Sequence, residues 1–137
     1  MKLVFTNGVF DILHRGHVDY LTAARALGDR LVVGVNSDES THNIKGLGRP
    51  INSFADRAAV LAALRCVDQV IGFEADTPLG LIQDLRPDVL VKGGDWPESR
   101  IVGADFVRSY GGAVVSIPVR YCKSTTAILA ALRGKPG

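Results

Sequence analysis

Residues 3–17 read LVFTNGVFDILHRGH, and this stretch decides the fold. Its first part, residues 3–6, is a short apolar run with β-branched side chains, which predicts a strand. Residues 17–27 continue from it, and their apolar side chains recur at helical spacing, which predicts a helix. Gly28 follows, and glycine is common just after the end of a helix. A strand followed closely by a helix is the opening unit of a parallel α/β sheet.

The same unit repeats along the rest of the chain. Further short apolar runs predict strands at residues 31–35, 69–73, 89–91 and 113–117. Helices are predicted at residues 53–65, 78–86, 102–110 and 124–132. Strands that are apolar almost throughout belong to sheets covered by helices on both faces. We therefore predict a doubly wound α/β fold with a parallel sheet of about five strands, whose ligands bind at the carboxyl ends of the strands.

Two of these helices carry start signals. Ser53 with Asp56 three residues later is the pattern of a helix N-cap. Thr77 followed by Pro78 predicts a capping residue and a proline at the first helical position, with the helix ending before Pro87. These signals place the starts of the second and third predicted helices.

Composition limits the kind of protein. The chain has 137 residues, 47% of them hydrophobic, and its 16 Lys+Arg and 14 Asp+Glu leave a formal net charge of +2. We expect one domain over residues 1–137 with a real core, and the near-balance of charge argues against a dedicated nucleic-acid binder. The apolar runs are too short for a signal peptide or a membrane span. Cys66 and Cys122 lie too far apart to form a metal-binding pair, so a reducing cytoplasm is the expected compartment.

Two histidines flank the predicted start of the first helix. A helix N-terminus offers unpaired N–H groups and the positive end of the helix dipole, which favour phosphate. The spacing of His14, Gly16 and His17 lets both rings face such a phosphate and donate to oxygens that gain charge during phosphoryl transfer. A lone histidine here would be read as an ordinary surface residue, but a strand end, a glycine and a second histidine coincide. A metal site is disfavoured because no third ligand stands at metal-type spacing.

Cations follow at two other positions. Lys45 lies in a predicted glycine-rich loop after the second strand, where a flexible ammonium could neutralise a leaving pyrophosphate; a solvated loop lysine is the plain alternative. Arg57 falls in the first turns of a helix, where the dipole disfavours a cation. That conflict indicates either an anionic partner or a surface salt bridge.

The ends of the fourth and fifth strands supply further candidates. Gly93 and Gly94 could let the backbone approach a base or ribose, and Asp95 could accept from ribose hydroxyls, with a simple turn as the alternative. Trp96 could stack on a ligand or cover the edge of the core. Hydroxyls at the start of the last helix could both cap it and bind phosphate; they belong to Ser124, Thr125 and Thr126.

Taken together, these motifs resemble the cytidylyltransferase-like nucleotidyltransferases, from about residue 2 to residue 133. The matching segments are residues 8–11, 14–17, 45–50, 56–57, 67–68, 86–88, 92–95 and 124–126. The resemblance implies a Rossmann-like nucleotidyltransferase fold in which His14, His17 and Lys45 are catalytic. It implies nucleotide binding by Asn7, Gly8, Phe10, Asp11, Gly16, Arg57, Gly93, Asp95, Arg120, Ser124, Thr125 and Thr126.

The sequence departs from the family pattern at residues 120–123, and two roles stay open for Asp11. Residues 120–123 replace what is commonly an acidic-glycine-aromatic sequence, so Arg120 and Lys123 would supply the phosphate charge of that loop differently. Asp11 would either orient the histidine motif or contact the hydration shell of a metal ion. The implied metal is Mg²⁺ carried with ATP, with few or no protein ligands.

Residues 57–68, 76–79 and 101–105 narrow the resemblance to the adenylyltransferases of the ADP-heptose pathway. These transfer AMP from ATP to D-glycero-β-D-manno-heptose 1-phosphate and release pyrophosphate, for lipopolysaccharide core biosynthesis. Some relatives carry a fused sugar kinase, for which 137 residues leave no room, so a stand-alone transferase is expected. Relatives often pair, which makes a homodimer an expectation. Two alternatives stay open: a cytidylyltransferase acting on glycerol 3-phosphate or a similar alcohol phosphate, and a non-catalytic nucleotide-binding regulator.

Overall fold

The computed structural model describes residues 1–94, 97, 100–118 and 125–133, with the backbone alone for 125–127. Across these residues the strands are β1 (Leu3–Gly8), β2 (Arg30–Asn36), β3 (Gln69–Phe73), β4 (Val89–Gly93) and β5 (Ala113–Ile117). The helices are α1 (Arg15–Arg25), α2 (Asp38–Lys45), α3 (Phe54–Ala62), α4 (Leu79–Leu85), α5 (Ala104–Ser109) and α6 (Thr125–Leu132).

The strands form a parallel five-stranded sheet, as predicted, and their order is β3-β2-β1-β4-β5. Leu3 to Gly8 of β1 pair with β2 on one side, and Val4 and Phe5 pair with β4 on the other. The chain therefore reverses its direction of winding between β1 and β4. The carboxyl ends of these two strands form the switch point at which such folds bind ligands.

Helices cover both faces of the sheet because alternate strand residues point to opposite sides. Val4 of β1 belongs to a core cluster with Leu21 of α1 and Leu61 of α3. Phe5, the next residue, belongs to a second cluster with Ile82 of α4 and Val107 of α5. All six side chains are fully buried, and each contributes about 1.5–3 kcal/mol through its burial.

Helix α2 was not predicted, because its packing face is polar. Ser37 caps it by accepting from the Ser40 N–H. Ser40 is fully buried and donates to the carbonyl of Ala75, while Asn36 donates to the Ser40 hydroxyl. A helix that packs through hydroxyl hydrogen bonds carries no apolar stripe for sequence periodicity to detect.

The starts of α1 and α4 differ from prediction, whereas the predicted cap of α3 is confirmed. The first helix begins at Arg15 and not at residue 17, because His14 is its N-cap. Pro78 is the N-cap of α4 and makes no side-chain capping bond, so the predicted capping by Thr77 is wrong. The Ser53 side chain accepts from Asp56 N, which confirms the predicted cap of α3. In the described part of the chain, no helix has both the length and the apolar content to cross a bilayer.

Candidate active site

The turn from β1 to α1 is made at Phe10, whose φ of 51° lies in the left-handed region. Gly8 is still part of β1, two residues before this turn. A Cβ atom at Gly8 would lie 2.8 Å from Cε2 of the Phe10 ring. Glycine is therefore required at residue 8 because the buried Phe10 ring packs against its backbone.

The two histidines form a reciprocal capping box at the start of α1. His14 Nδ1 accepts from the N–H of Gly16 at 3.1 Å, and His17 Nδ1 accepts from the N–H of His14 at 3.3 Å. A ring nitrogen that accepts a hydrogen bond carries no proton, so each neutral ring holds its proton on Nε2. The ring centroids lie 4.1 Å apart. The backbone thus selects, on both rings, the tautomer with Nε2–H as the donor.

His17 is neutral in this setting. Its burial, and secondarily the neighbouring His14, lower its pKa from 6.5 to about 4. The ring also contacts Phe10 edge-on, with centroids 5.4 Å apart, which holds its orientation. His17 can therefore act near neutral pH as an oriented hydrogen-bond donor and not as a cation.

We expect His17 to titrate with a midpoint near 4, well below the ordinary 6.5, because the folded chain disfavours its charged form. Between these two pH values the unfolded chain binds the proton and the folded chain does not, so this group removes stability as pH falls from about 6.5 to about 4. Two-dimensional NMR of the ring nitrogens measures both the midpoint and the Nε2–H tautomer. His14→Gln should raise the midpoint, and a wild-type midpoint near 6.5 would contradict this description.

Asp11 anchors a loop beside the histidine motif. Its carboxylate accepts from Arg49 Nε at 3.1 Å, Ile51 N at 2.8 Å and Asn52 N at 2.8 Å. The Asn52 side chain returns a bond to the Asp11 carbonyl at 2.7 Å. The Asp11 carboxylate has no exposed surface. These contacts show Asp11 holding residues 49–52 in place, and its burial disfavours direct contact with a nucleotide.

Arg57 is buried, which corrects its predicted contact with the nucleotide. Its guanidinium donates to the carbonyls of Asn52 at 3.0 Å and Val9 at 2.8 Å, and it pairs with Asp38 at 2.8 Å. The Arg57 side chain has no exposed surface, whereas Asp38 is half exposed. The salt bridge offered as the alternative therefore exists, and it ties α3 to α2 and to the β1–α1 turn.

Two lysines lie near each other at the carboxyl edge of the sheet. Lys45 is the last residue of α2 and not part of the loop that begins at Gly46, which corrects its predicted position. The pKa of Lys92 at the end of β4 is lowered, first by burial and then by the charge of Lys45. Cations held within each other's field favour an anionic ligand. The sequence analysis included Lys92 only in the matching segment 92–95 and not among the candidate site residues. Its position at the end of a strand beside the switch point could have identified it as a candidate.

Gly93 packs closely against α1. A Cβ atom there would lie 3.2 Å from the ring of Tyr20 on α1. The Tyr20 hydroxyl hydrogen bonds to Thr6 of β1, and burial raises the pKa of Tyr20 to about 12. The Thr6 hydroxyl in turn donates to the carbonyl of Val91 at 2.9 Å. Gly93 thus lets α1 pack closely over the β1–β4 switch point.

A groove of about 540 Å³ runs along α1 from the histidine motif to the end of β5. This volume is typical of small-molecule sites. Gly16, which was predicted to bind nucleotide, lies at its wall. The groove is lined by Arg15, Gly16, Tyr20, Ala23, Ile117 and Pro118 among others.

The remaining predicted residues are placed as follows. Asn7 lines a separate cavity that also includes Lys92, on the other face of β1 from Tyr20. Asp95, Arg120 and Ser124 lie outside the described residues, as do Trp96, Cys122 and Lys123. Thr125 and Thr126 are the first residues of α6.

The described residues do not form a metal cage. No group of three His, Cys, Asp or Glu side chains lies close enough to hold an ion within these ranges. Asp11, which precedes the histidine motif, already accepts three N–H bonds. The donor set therefore does not fit a protein-bound metal at this turn.

A parallel sheet with hydrogen-bond donors and cations at its switch point defines the class of doubly wound α/β proteins, in which ligands bind at the strand ends. A profile of the family described as cytidylyltransferase-like matches residues 5–127. The chain belongs to the cytidylyltransferase-like family.

Curated relatives and solved structures are consistent with this membership. The chain is 57% identical over 134 residues to the bifunctional protein HldE of Pseudomonas aeruginosa (strain UCBPP-PA14), covering 98% of this chain and 28% of HldE. It is 56% identical over 135 residues to HldE of Azotobacter vinelandii, again covering 98% of this chain and 28% of the relative. The chain thus spans 28% of the length of these relatives.

Two solved structures share the fold. A lipopolysaccharide core biosynthesis protein from Thermoplasma volcanium superposes with a TM-score of 0.71 at 29% identity, covering 90% of this chain and 99% of that one. The pantoate-beta-alanine ligase of Francisella tularensis superposes with a TM-score of 0.62 at 15% identity, covering 96% and 69%. The second likeness concerns the fold alone. The predicted Rossmann-like nucleotidyltransferase fold is confirmed.

Proposed function

We propose that this chain transfers AMP from ATP to D-glycero-β-D-manno-heptose 1-phosphate, releasing pyrophosphate and forming ADP-heptose. The observation that carries the reaction class is the pair of Nε2–H donors fixed by the capping box at the start of α1. The choice of sugar rests on the resemblance of residues 57–68, 76–79 and 101–105. The similarity to HldE and to the lipopolysaccharide core biosynthesis protein supports it.

The reaction needs positioning and charge stabilisation but no covalent intermediate. A phosphate oxygen of the sugar attacks the α-phosphorus of ATP in line, the new P–O bond forms, and the bond to the bridging oxygen of the leaving pyrophosphate breaks. Because a phosphate oxygen is already a competent nucleophile, no general base is required. The protein has to hold both substrates and stabilise oxygens whose charge grows.

Neutral histidines suit this task. A neutral donor binds the ground-state phosphate modestly, and its hydrogen bond strengthens as negative charge accumulates in the transition state. We assign this role to Nε2–H of His14 and His17. Positive charge comes from Lys45 and Lys92, whose mutual repulsion a bound phosphate would relieve.

Mg²⁺ enters this proposal with ATP and not as a resident ion. When bound, it would neutralise triphosphate oxygens. The described residues include no group of three His, Cys, Asp or Glu side chains that could hold it, and the Asp11 carboxylate already accepts three N–H bonds. A homodimer stays a prediction of the resemblance, and a cytoplasmic location stays a prediction from the two separated cysteines.

A pyrophosphate-release assay tests the proposal. ATP and CTP are each combined with heptose 1-phosphate and with glycerol 3-phosphate, and we expect the highest kcat/KM for ATP with heptose 1-phosphate. Preference for CTP with glycerol 3-phosphate would instead establish the cytidylyltransferase alternative. Nucleotide binding without pyrophosphate release in any combination would establish the regulator.

A further inference from the structure

The backbone pairing between β1 and β4 stops short of the switch point. It ends at Phe5 of β1 and Leu90 of β4. Each strand then continues for three more residues against its other neighbour, β1 as far as Gly8 and β4 as far as Gly93. Over these described residues, the carboxyl ends of the two strands are therefore not joined to each other by ladder hydrogen bonds.

Two side-chain hydroxyls connect the strands where the ladder has ended. The Thr6 hydroxyl of β1 donates to the carbonyl of Val91 on β4 at 2.9 Å, and the Tyr20 hydroxyl of α1 hydrogen bonds to Thr6. Because the single hydroxyl proton of Thr6 goes to Val91, Tyr20 is the donor in the second bond. Burial raises the pKa of Tyr20 to about 12, so its hydroxyl keeps the proton that this bond requires. We call the connection from Tyr20 through Thr6 to Val91 the hydroxyl bridge.

The hydroxyl bridge links the two sides of the candidate active site. Tyr20 lies three residues after His17 on α1, so the two side chains share one face of that helix. The Tyr20 ring also packs against Gly93, where a Cβ atom would lie 3.2 Å from it. Val91, the last member of the bridge, directly precedes Lys92 on β4. The histidine donors thus lie on one side of the bridge and the cation Lys92 on the other.

We propose that Tyr20 and Thr6 are positioning residues, whose hydroxyl bridge fixes the histidine donors relative to the end of β4. The role is in the transfer reaction of the proposed function, on which it rests. Both hydroxyls are used within the fold, so they act through the groups that they hold and not through contact with substrate. A misplacement of about 1 Å between a catalytic group and the reacting atoms can lower the rate about 100-fold. The bridge should therefore affect turnover more than nucleotide binding.

The test compares Tyr20→Phe and Thr6→Val with Tyr110→Phe. Tyr110 is a matched control because its hydroxyl also donates to a carbonyl, that of Pro87 at 2.6 Å, but at the amino end of β4. We expect Tyr20→Phe to lower kcat about 10-fold or more and to leave KM for ATP within about twofold, since the loss falls on the transition state. Thr6→Val should be at least as slow because it removes both bonds of the bridge, whereas Tyr110→Phe should keep the wild-type kcat.

Further comparisons separate positioning from stability. Thr6→Ser keeps the hydroxyl and should recover most of the kcat that Thr6→Val loses. The double variant Tyr20→Phe/Thr6→Val should be no slower than Thr6→Val alone, because both substitutions break the same bridge. Circular dichroism melts should show similar losses of stability in Tyr20→Phe and Tyr110→Phe, so a loss of kcat in the first alone does not come from unfolding.

The outcomes distinguish the bridge from the proposed function. Unchanged kcat in folded Tyr20→Phe and Thr6→Val overturns the positioning role and leaves the proposed function standing. An equal loss of kcat in Tyr110→Phe, or a change confined to KM for ATP, does the same. A wild-type chain that releases no pyrophosphate overturns the proposed function, and NMR of the His17 ring then decides on the bridge. The His17 titration midpoint, near 4 in the wild type, should rise in Tyr20→Phe, and an unchanged midpoint would overturn the positioning role.

Discussion

His17→Ala should lower kcat for pyrophosphate release by about 10²- to 10³-fold, the effect of removing one donor aimed at a transition-state oxygen. The reason is the tautomer. His17 Nδ1 is committed to the N–H of His14, which leaves Nε2–H as the donor, and burial keeps the ring neutral. No nearby described side chain duplicates this arrangement except His14, which caps the same helix.

Removing His17 also removes half of the capping box, so structural and catalytic effects have to be separated. In His17→Asn the shorter side chain can keep an acceptor near the Nδ1 position but has no donor at the Nε2 position. In His17→Gln the longer amide can return a donor there. We expect His17→Asn to melt like the wild type and yet be as slow as His17→Ala, with His17→Gln intermediate.

His42 provides a matched control. It is an exposed histidine of α2 whose backbone carbonyl, and not its ring, accepts from Gly46. His42→Ala should retain wild-type kcat. If His17→Asn also retained it, with the fold intact, the donor role of His17 would be wrong.

Asp11→Ala should lower the free energy of unfolding by about 3–5 kcal/mol, the cost of breaking a buried ion pair from one side. The carboxylate accepts from Arg49 and from two backbone N–H groups, at Ile51 and Asn52. Its removal leaves those two donors without their acceptor and Arg49, largely buried, without its counter-charge. Urea unfolding followed by circular dichroism measures the change.

The matched control is Asp84→Ala, an exposed aspartate in α4, which should change the free energy of unfolding by no more than about 0.5 kcal/mol. A double-mutant cycle with Arg49→Met isolates the ion pair, because the second substitution should cost less once Asp11 is gone. Additive losses would show that Asp11 and Arg49 are not coupled. A loss below about 1 kcal/mol for Asp11→Ala would show that the loop does not depend on this carboxylate.

The sheet and most of its helices were predictable, because strand and helix periodicity report which side chains are apolar and how they are spaced. β3 and β5 were predicted to the residue. α2 was missed since its buried contacts are hydroxyl hydrogen bonds at Ser40 and not an apolar stripe. The histidine motif was recognisable because its hydrogen bonds span three residues or fewer.

The roles of individual side chains around that motif were harder to predict. An arginine in the first turns of a helix is equally consistent with a ligand contact and with a salt bridge. Only the packing shows that Arg57 is buried and donates to three acceptors. Gly8 and Gly93 look like positions for a ligand, yet their neighbours are the rings of Phe10 and Tyr20. Lys92 became a candidate only once its cavity and its proximity to Lys45 were known.

By itself the sequence determined the α/β class, the parallel sheet of about five strands and the position of the histidine motif. These follow from interactions between residues close in the chain: periodicity, helix caps and strand ends. The tertiary structure decided which polar side chains face a ligand and which hold the fold together. Asp11 meets Asn52 across 41 residues, Arg57 meets Val9 across 48, and Thr6 meets Val91 across 85. Such contacts depend on how the elements pack, and no local pattern encodes that packing.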